Sequence, residues 1–128
     1  MKKLILSFII LALVFVLCSC GFVRIDNDLS VQLVYKYVDT DIEVELTTKE
    51  AKEIIKILNN KALVRDNPSC GFDENIAFVI NGNAYSPARD DCCIIKDCES
   101  GKYISITQEE RDYIEKVFSN YGGHFPCV

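Results

Sequence analysis

The chain has 128 residues, with 14 Lys and Arg against 19 Asp and Glu, giving a net charge of −5. That length holds one modest core, and an acidic surface repels phosphate backbones and anionic headgroups, so nucleic acid is not an expected partner. Seven cysteines and one histidine bound the metal and thiol chemistry.

Lys2 and Lys3 precede an apolar run from Leu4 to Leu17 that only Ser7 interrupts. The run falls short of the about 20 residues a membrane span needs. It has the size of the hydrophobic region of a secretory signal. It ends in Leu17-Cys18-Ser19-Cys20-Gly21. This resembles the lipobox of bacterial lipoprotein precursors, in which an aliphatic residue and two small residues precede an obligatory Cys. Cys18 in the second position departs slightly from that pattern. The resemblance implies that residues 1–19 are a signal peptide, cut between Ser19 and Cys20. It further implies that Cys20 carries diacylglycerol with palmitate-like chains, and that the lipoprotein stays in the cell membrane, lipid-anchored and facing outside the cytoplasm. At about 0.8 kcal/mol per buried methylene, two acyl chains make a stable anchor. An ordinary signal peptide with a released product, and an uncleaved membrane helix, stand beside this reading. Losing Lys2 and Lys3 lowers the net charge from −5 to −7. Membrane attachment then rests on the lipid and not on a basic patch.

Residues 20–29 are expected to be the lipidated cysteine and a short tether. The nine residues from Gly21 to Leu29 reach roughly 30 Å at about 3.3–3.6 Å each. Residues 30–128 are expected to form a single α+β domain.

Val31–Val38 alternates like a strand, Asp39–Asp41 is a turn, and Ile42, Val44 and Leu46 alternate with Glu43 and Glu45. This predicts a hairpin. Thr47-Thr48-Lys49-Glu50 matches a capping box, followed by a helix to about Asn59 with the stripe Ala51, Ile54, Ile55 and Leu58. Residues 61–75 read as a loop. Ile76–Ile80 is apolar throughout and reads as a central strand. Asn81-Gly82 predicts a tight turn into a return strand at Asn83–Tyr85. After a loop at 87–91, Cys92–Lys96 and Tyr103–Ile106 read as strands around a turn. Thr107-Gln108-Glu109-Glu110 repeats the capping box, and a helix with the stripe Ile114, Val117, Phe118 and Tyr121 runs to about Ser119.

The second pattern repeats the first at an offset of sixty: Thr47 matches Thr107, Glu50 matches Glu110, and Ile54 matches Ile114. Duplication of a strand-strand-helix unit and coincidence between two capped helices both stand. The expected fold is α+β, a mostly antiparallel sheet with the two amphipathic helices on one face.

Removal of Cys18 with the signal and acylation of Cys20 leave five cysteines outside the cytoplasm, where disulfides persist. Cys70 and Cys127 both follow a helix, which places them with Cys98 at one end of the sheet, with Cys92 and Cys93 toward the other. Cys70–Cys127 is therefore the expected disulfide, although spacing alone does not fix connectivity. No Cys-x-x-Cys occurs, so thiol exchange lacks its usual helix-start pair. Cys92, Cys93, Cys98 and His124 supply soft ligands, but their spacing matches no paired zinc pattern, and they are weak metal candidates. No Gly-x-Ser-x-Gly or His-Glu-x-x-His is present, and no glycine-rich turn precedes a helix. No cofactor and no catalytic residue is expected. The leading expectation is a non-enzymatic binding domain at the cell surface. It would meet a protein or small-molecule partner through an exposed strand face or the Asp90-Asp91 loop. The alternative is a cysteine-based metal-binding or thiol-redox module. The mature part also resembles small bacterial lipoproteins of unassigned role, a likeness that transfers no residues.

Overall fold

The computed structural model describes residues 2–18, 21–66 and 68–128. The expected lipidation site, Cys20, lies outside them. The first element is an apolar helix, α1 (Lys2–Cys18). Among the described residues, no helix is long and apolar enough to cross a membrane.

The predicted order of elements is then followed through: β1 (Val31–Tyr37), β2 (Thr40–Glu45), α2 (Thr48–Leu58), β3 (Ile76–Ile80), β4 (Asn83–Pro87), β5 (Ile94–Asp97), β6 (Lys102–Ser105) and α3 (Gln108–Asn120). The fold is α+β. All strand pairs are antiparallel, in one six-stranded sheet of order β2-β1-β3-β4-β5-β6. Asn81 and Gly82 both take positive φ in the tight turn from β3 to β4, as that dipeptide favours.

Both capping boxes form. Thr47 and Thr107 each accept from the backbone amide three residues on, and Glu50 and Glu110 return the bond to the cap amide. Each box satisfies two amide donors that a helix start leaves without partners. The stripes then turn into the core. Phe118 of α3 sits with its ring centroid 4.9 Å from Phe78 of β3 and 6.0 Å from Tyr35 of β1. Ala51, Ile54, Ile55 and Leu58 of α2 join the same buried cluster as Leu33, Ile76, Ile95 and Ile104. Burying each large apolar side chain of this kind is worth about 1.5–3 kcal/mol.

The offset of sixty persists in space. The first two strands hold one flank of the sheet and the last two the other. The helices meet head to tail through two matched clasps. Lys61, just after α2, donates to both carboxylate oxygens of Glu110 at 2.9 Å. Tyr121, sixty positions on and just after α3, donates to Glu50 at 2.7 Å.

Three expectations are corrected. The short tether expected at Gly21–Leu29 packs against the domain instead of standing apart from it. Phe22 bridges Ala62 as an added antiparallel pair, Val23 is buried in the core, and both backbone polar groups of Ile25 are bonded by the Asn59 side chain at 2.6 and 2.8 Å. Second, β4 runs on to Pro87 and β5 begins only at Ile94. Cys92 and Cys93 therefore lie in the loop before β5: the Cys92 carbonyl accepts from Arg111, and only at Cys93, whose carbonyl accepts from the Ile106 amide, does pairing with the β6 side begin. Third, Cys70 pairs with Cys92 across a sequence separation of 22, and not with Cys127.

The third correction follows from register. Phe78 faces Tyr85 and Ile80 faces Asn83. Cys70 lies eight residues before Phe78 and Cys92 seven after Tyr85. Both cysteines therefore stand at the open end of one hairpin, and the disulfide closes it.

Candidate functional site

The best-organised surface segment is the loop from Ala88 to Cys93, which joins β4 to β5. Arg111, on the first turn of α3, is its centre. The residue is 0% exposed. Its guanidinium donates to three carbonyls of this loop: Ala88 at 2.9 Å, Cys92 at 3.2 Å and Asp90. Nε donates to the Glu115 carboxylate at 2.8 Å, and the group lies 4.9 Å from the Phe125 ring centroid. A buried guanidinium must fill its donors or lose far more to desolvation than it gains. Here the loop supplies the acceptors, so burial of the charge and the shape of the loop are one arrangement. Arginine suits it because its planar fork fixes several directions at once.

Arg89 faces the other way. It donates through Nε and Nη2 to the Cys127 carbonyl at 2.9 and 2.6 Å, and the Cys127 amide returns a bond to the Arg89 carbonyl at 2.9 Å. The Arg89 amide also donates to Gly71, and its guanidinium stands 5.3 Å over the Tyr37 ring. The tail thus braces the loop. Tyr35 and Tyr37 hold that tail in turn by donating to the carbonyls of His124 and Val128 at 2.9 and 3.1 Å. A Cβ at Gly123 would sit 3.0 Å from the Tyr35 ring, so any larger residue would have to push that ring by a few tenths of an ångström.

Within the loop, the Asp90 carboxylate accepts from the Cys92 amide at 3.1 Å, a local turn typical of aspartate. Asp91 is exposed. The Cys70–Cys92 bond ties the loop to the segment before β3. The Asp90 carboxylate and the two sulfurs lie within 4.8 Å of one another, the one such group of donors among the described residues.

The remaining sequence candidates are scattered. Cys93 points at Gln108, 3.5 Å away. Cys98 lies beside Phe72, Asp73, Glu74 and Lys96, away from the loop. Burial pushes its thiol up, against the pull of Lys96. Cys127 is buried against Arg89, and burial also pushes its thiol up. His124 sits in an open surface depression with Asp112, Glu115 and Lys116. Cys93, Cys98, His124 and the Cys70–Cys92 pair therefore form no common cluster among the described residues.

Sequence reasoning named the Asp90-Asp91 loop but missed Arg111, the residue that shapes it. The signal was present. Arg111 stands three residues before Ile114, inside the apolar stripe of α3. A charged residue at a core-facing position announces a buried partner set.

No family model, curated protein or solved structure matches this chain.

Proposed function

We propose that this protein is a lipid-anchored extracytoplasmic binding protein, a non-enzymatic interaction module held to the membrane through Cys20. It presents the 88–93 loop to a protein or small-molecule partner at the cell surface. One observation carries the reading: Arg111 bonds three carbonyls of a single loop from a fully buried position. Loops positioned by a rigid scaffold carry binding disproportionately, and a loop already held in one shape loses less entropy on binding. The disulfide fits an oxidising compartment outside the cytoplasm. The raised thiols of Cys98 and Cys127 make poor nucleophiles, which speaks against thiol exchange at those two positions.

The test is site-specific crosslinking on intact cells. A photoreactive side chain replaces Asp91 in one variant and Asp39, in the turn after β1, in another. A discrete adduct at position 91 and none at 39 is the expected result. Equal labelling at both, or none at either, overturns the reading of the loop.

The Cys70, Asp90 and Cys92 group favours a second reading, a metal site that forms only once the disulfide is reduced. Two thiolates and a carboxylate are competent zinc ligands. Native mass spectrometry of the reduced, folded protein with added zinc decides it: one bound ion supports this reading and an unchanged mass removes it.

A further inference from the structure

The segment after Cys20 does not let the domain swing. Gly21 accepts from the Leu63 amide at 2.6 Å, and the Val23 amide donates to Lys61 at 2.9 Å. With the Phe22–Ala62 bridge, this makes a short ladder that starts one residue after the expected lipidation site. Successive residues on a ladder face opposite ways. Val23 is buried and Leu63 packs against the core, which turns Phe22, Ala62 and Val64 outward. Phe22 is 53% exposed and Val64 38%.

These side chains are not isolated. Val64 bridges Tyr103 of β6, with backbone bonds of 2.9 and 2.8 Å in both directions. The Tyr103 ring lies 5.3 Å from Phe72. An apolar ridge thus runs from Phe22 through Ala62, Val64 and Tyr103 to Phe72, and it begins beside the anchor. Arg24 and Arg65, both exposed, flank its outward residues.

We propose that this ridge is a lipid-contact surface, so that the domain rests on the membrane in one orientation. The proposal rests on acylation of Cys20. Continuity with the anchor selects the occupant. Adjacent Cα atoms are 3.80 Å apart, so acyl chains on Cys20 bring the headgroup layer to Phe22 without any intervening stalk. Aromatic rings favour that layer, where an apolar body and a polar edge are both accommodated. Arginines beside it reach phosphate oxygens. The edge strand β2 and the β1–β2 turn, at the opposite edge of the sheet from β6, then face away from the membrane.

The chain contains no tryptophan, so a single introduced one reports alone. Phe22→Trp probes the ridge. Val38→Trp, at an 83% exposed residue of the β1–β2 turn, is the control. Each full-length protein is expressed, extracted with its lipid, verified by intact mass and reconstituted in phosphatidylcholine–phosphatidylglycerol vesicles with or without brominated acyl chains. The expected result is that position 22 emits to the blue and loses most of its emission to bromine, while position 38 does neither. Equal bromine quenching at both positions, or at neither, in a protein of verified lipid mass overturns the ridge alone. A blue shift at position 22 without bromine quenching means that protein covers the ridge, and this also overturns it. A mass without lipid removes the anchor reading and the ridge with it.

Discussion

At the scale of single residues, Arg111 has the most to lose. Its side chain is buried and bonded to three carbonyls and a carboxylate. Arg111→Met keeps the apolar stem and the volume but strands the acceptors. What is left unpaired is three carbonyls and a Glu115 carboxylate that is 37% exposed; a buried acceptor left without a partner costs about 1–3 kcal/mol, a large share of the about 5–15 kcal/mol that holds a domain together. Arg111→Lys is expected to recover only part of that loss, because an ammonium is a point charge and cannot satisfy carbonyls in three directions. Urea unfolding of the three proteins checks the order. A Met variant within about 1 kcal/mol of the parent, the size of an ordinary substitution, would show that water replaces the guanidinium at no great loss.

At the scale of elements, the hairpins and helices were legible because their signals are local. Thr47 and Thr107 stand three residues before Glu50 and Glu110, and both boxes formed at those residues. Asn81-Gly82 dictated its turn through positive φ. What was not legible depends on contacts distant in sequence. Nothing near Val23 says that it will be buried beside Lys61, and Gly21–Leu29 carries no strand pattern of its own. The Cys70–Cys92 pairing is an intermediate case. Register alone gives it once the β3–β4 hairpin is extended at its open end, whereas reasoning from where each helix ends led to Cys127. This bond closes a loop of 22 residues, worth roughly 3 kcal/mol in the chain-entropy model. A Cys70→Ala, Cys92→Ala double variant is expected to lose about that much. Alkylation of the parent protein without reduction then discriminates the pairings. Cys93 and Cys98, half-exposed, label in the folded protein, while Cys127, buried, labels only on unfolding. If Cys127 stays blocked in denaturant until a reductant is added, the pairing seen here is overturned.

At the scale of the molecule, the two strand-strand-helix units hold each other through chemistry that titrates. Burial pushes the Glu50 carboxyl up, but the hydroxyls of Tyr121 and Thr47 and the Thr47 amide outweigh it and hold the group below the ordinary carboxylate range. Glu110 behaves alike: burial raises it, while the Thr107 amide and the Lys61 ammonium bring it down. A carboxyl depressed by folding stabilises the native state above its unfolded value of about 4.3. That contribution is lost as pH falls through the lower folded value. Acid therefore loosens both clasps together. The Tyr121 hydroxyl gives the opposite limit for one of them. Its bond to the Glu50 carboxylate, followed by burial, raises it. Its contribution is complete below the unfolded value of about 10 and disappears as pH rises through the raised folded value. The stability of Tyr121→Phe relative to the parent tests both limits of the Tyr121–Glu50 bond. The deficit is expected to be largest near neutral pH and to shrink both in acid and in strong alkali. The deficit of Glu110→Gln is likewise expected to shrink in acid. Urea midpoints across the pH range decide the matter. A Tyr121→Phe deficit that stays constant from acid to alkali would mean that the hydroxyl bond contributes nothing to holding the helices head to tail, and that the Lys61–Glu110 clasp and the apolar contacts around Phe118 do so without it.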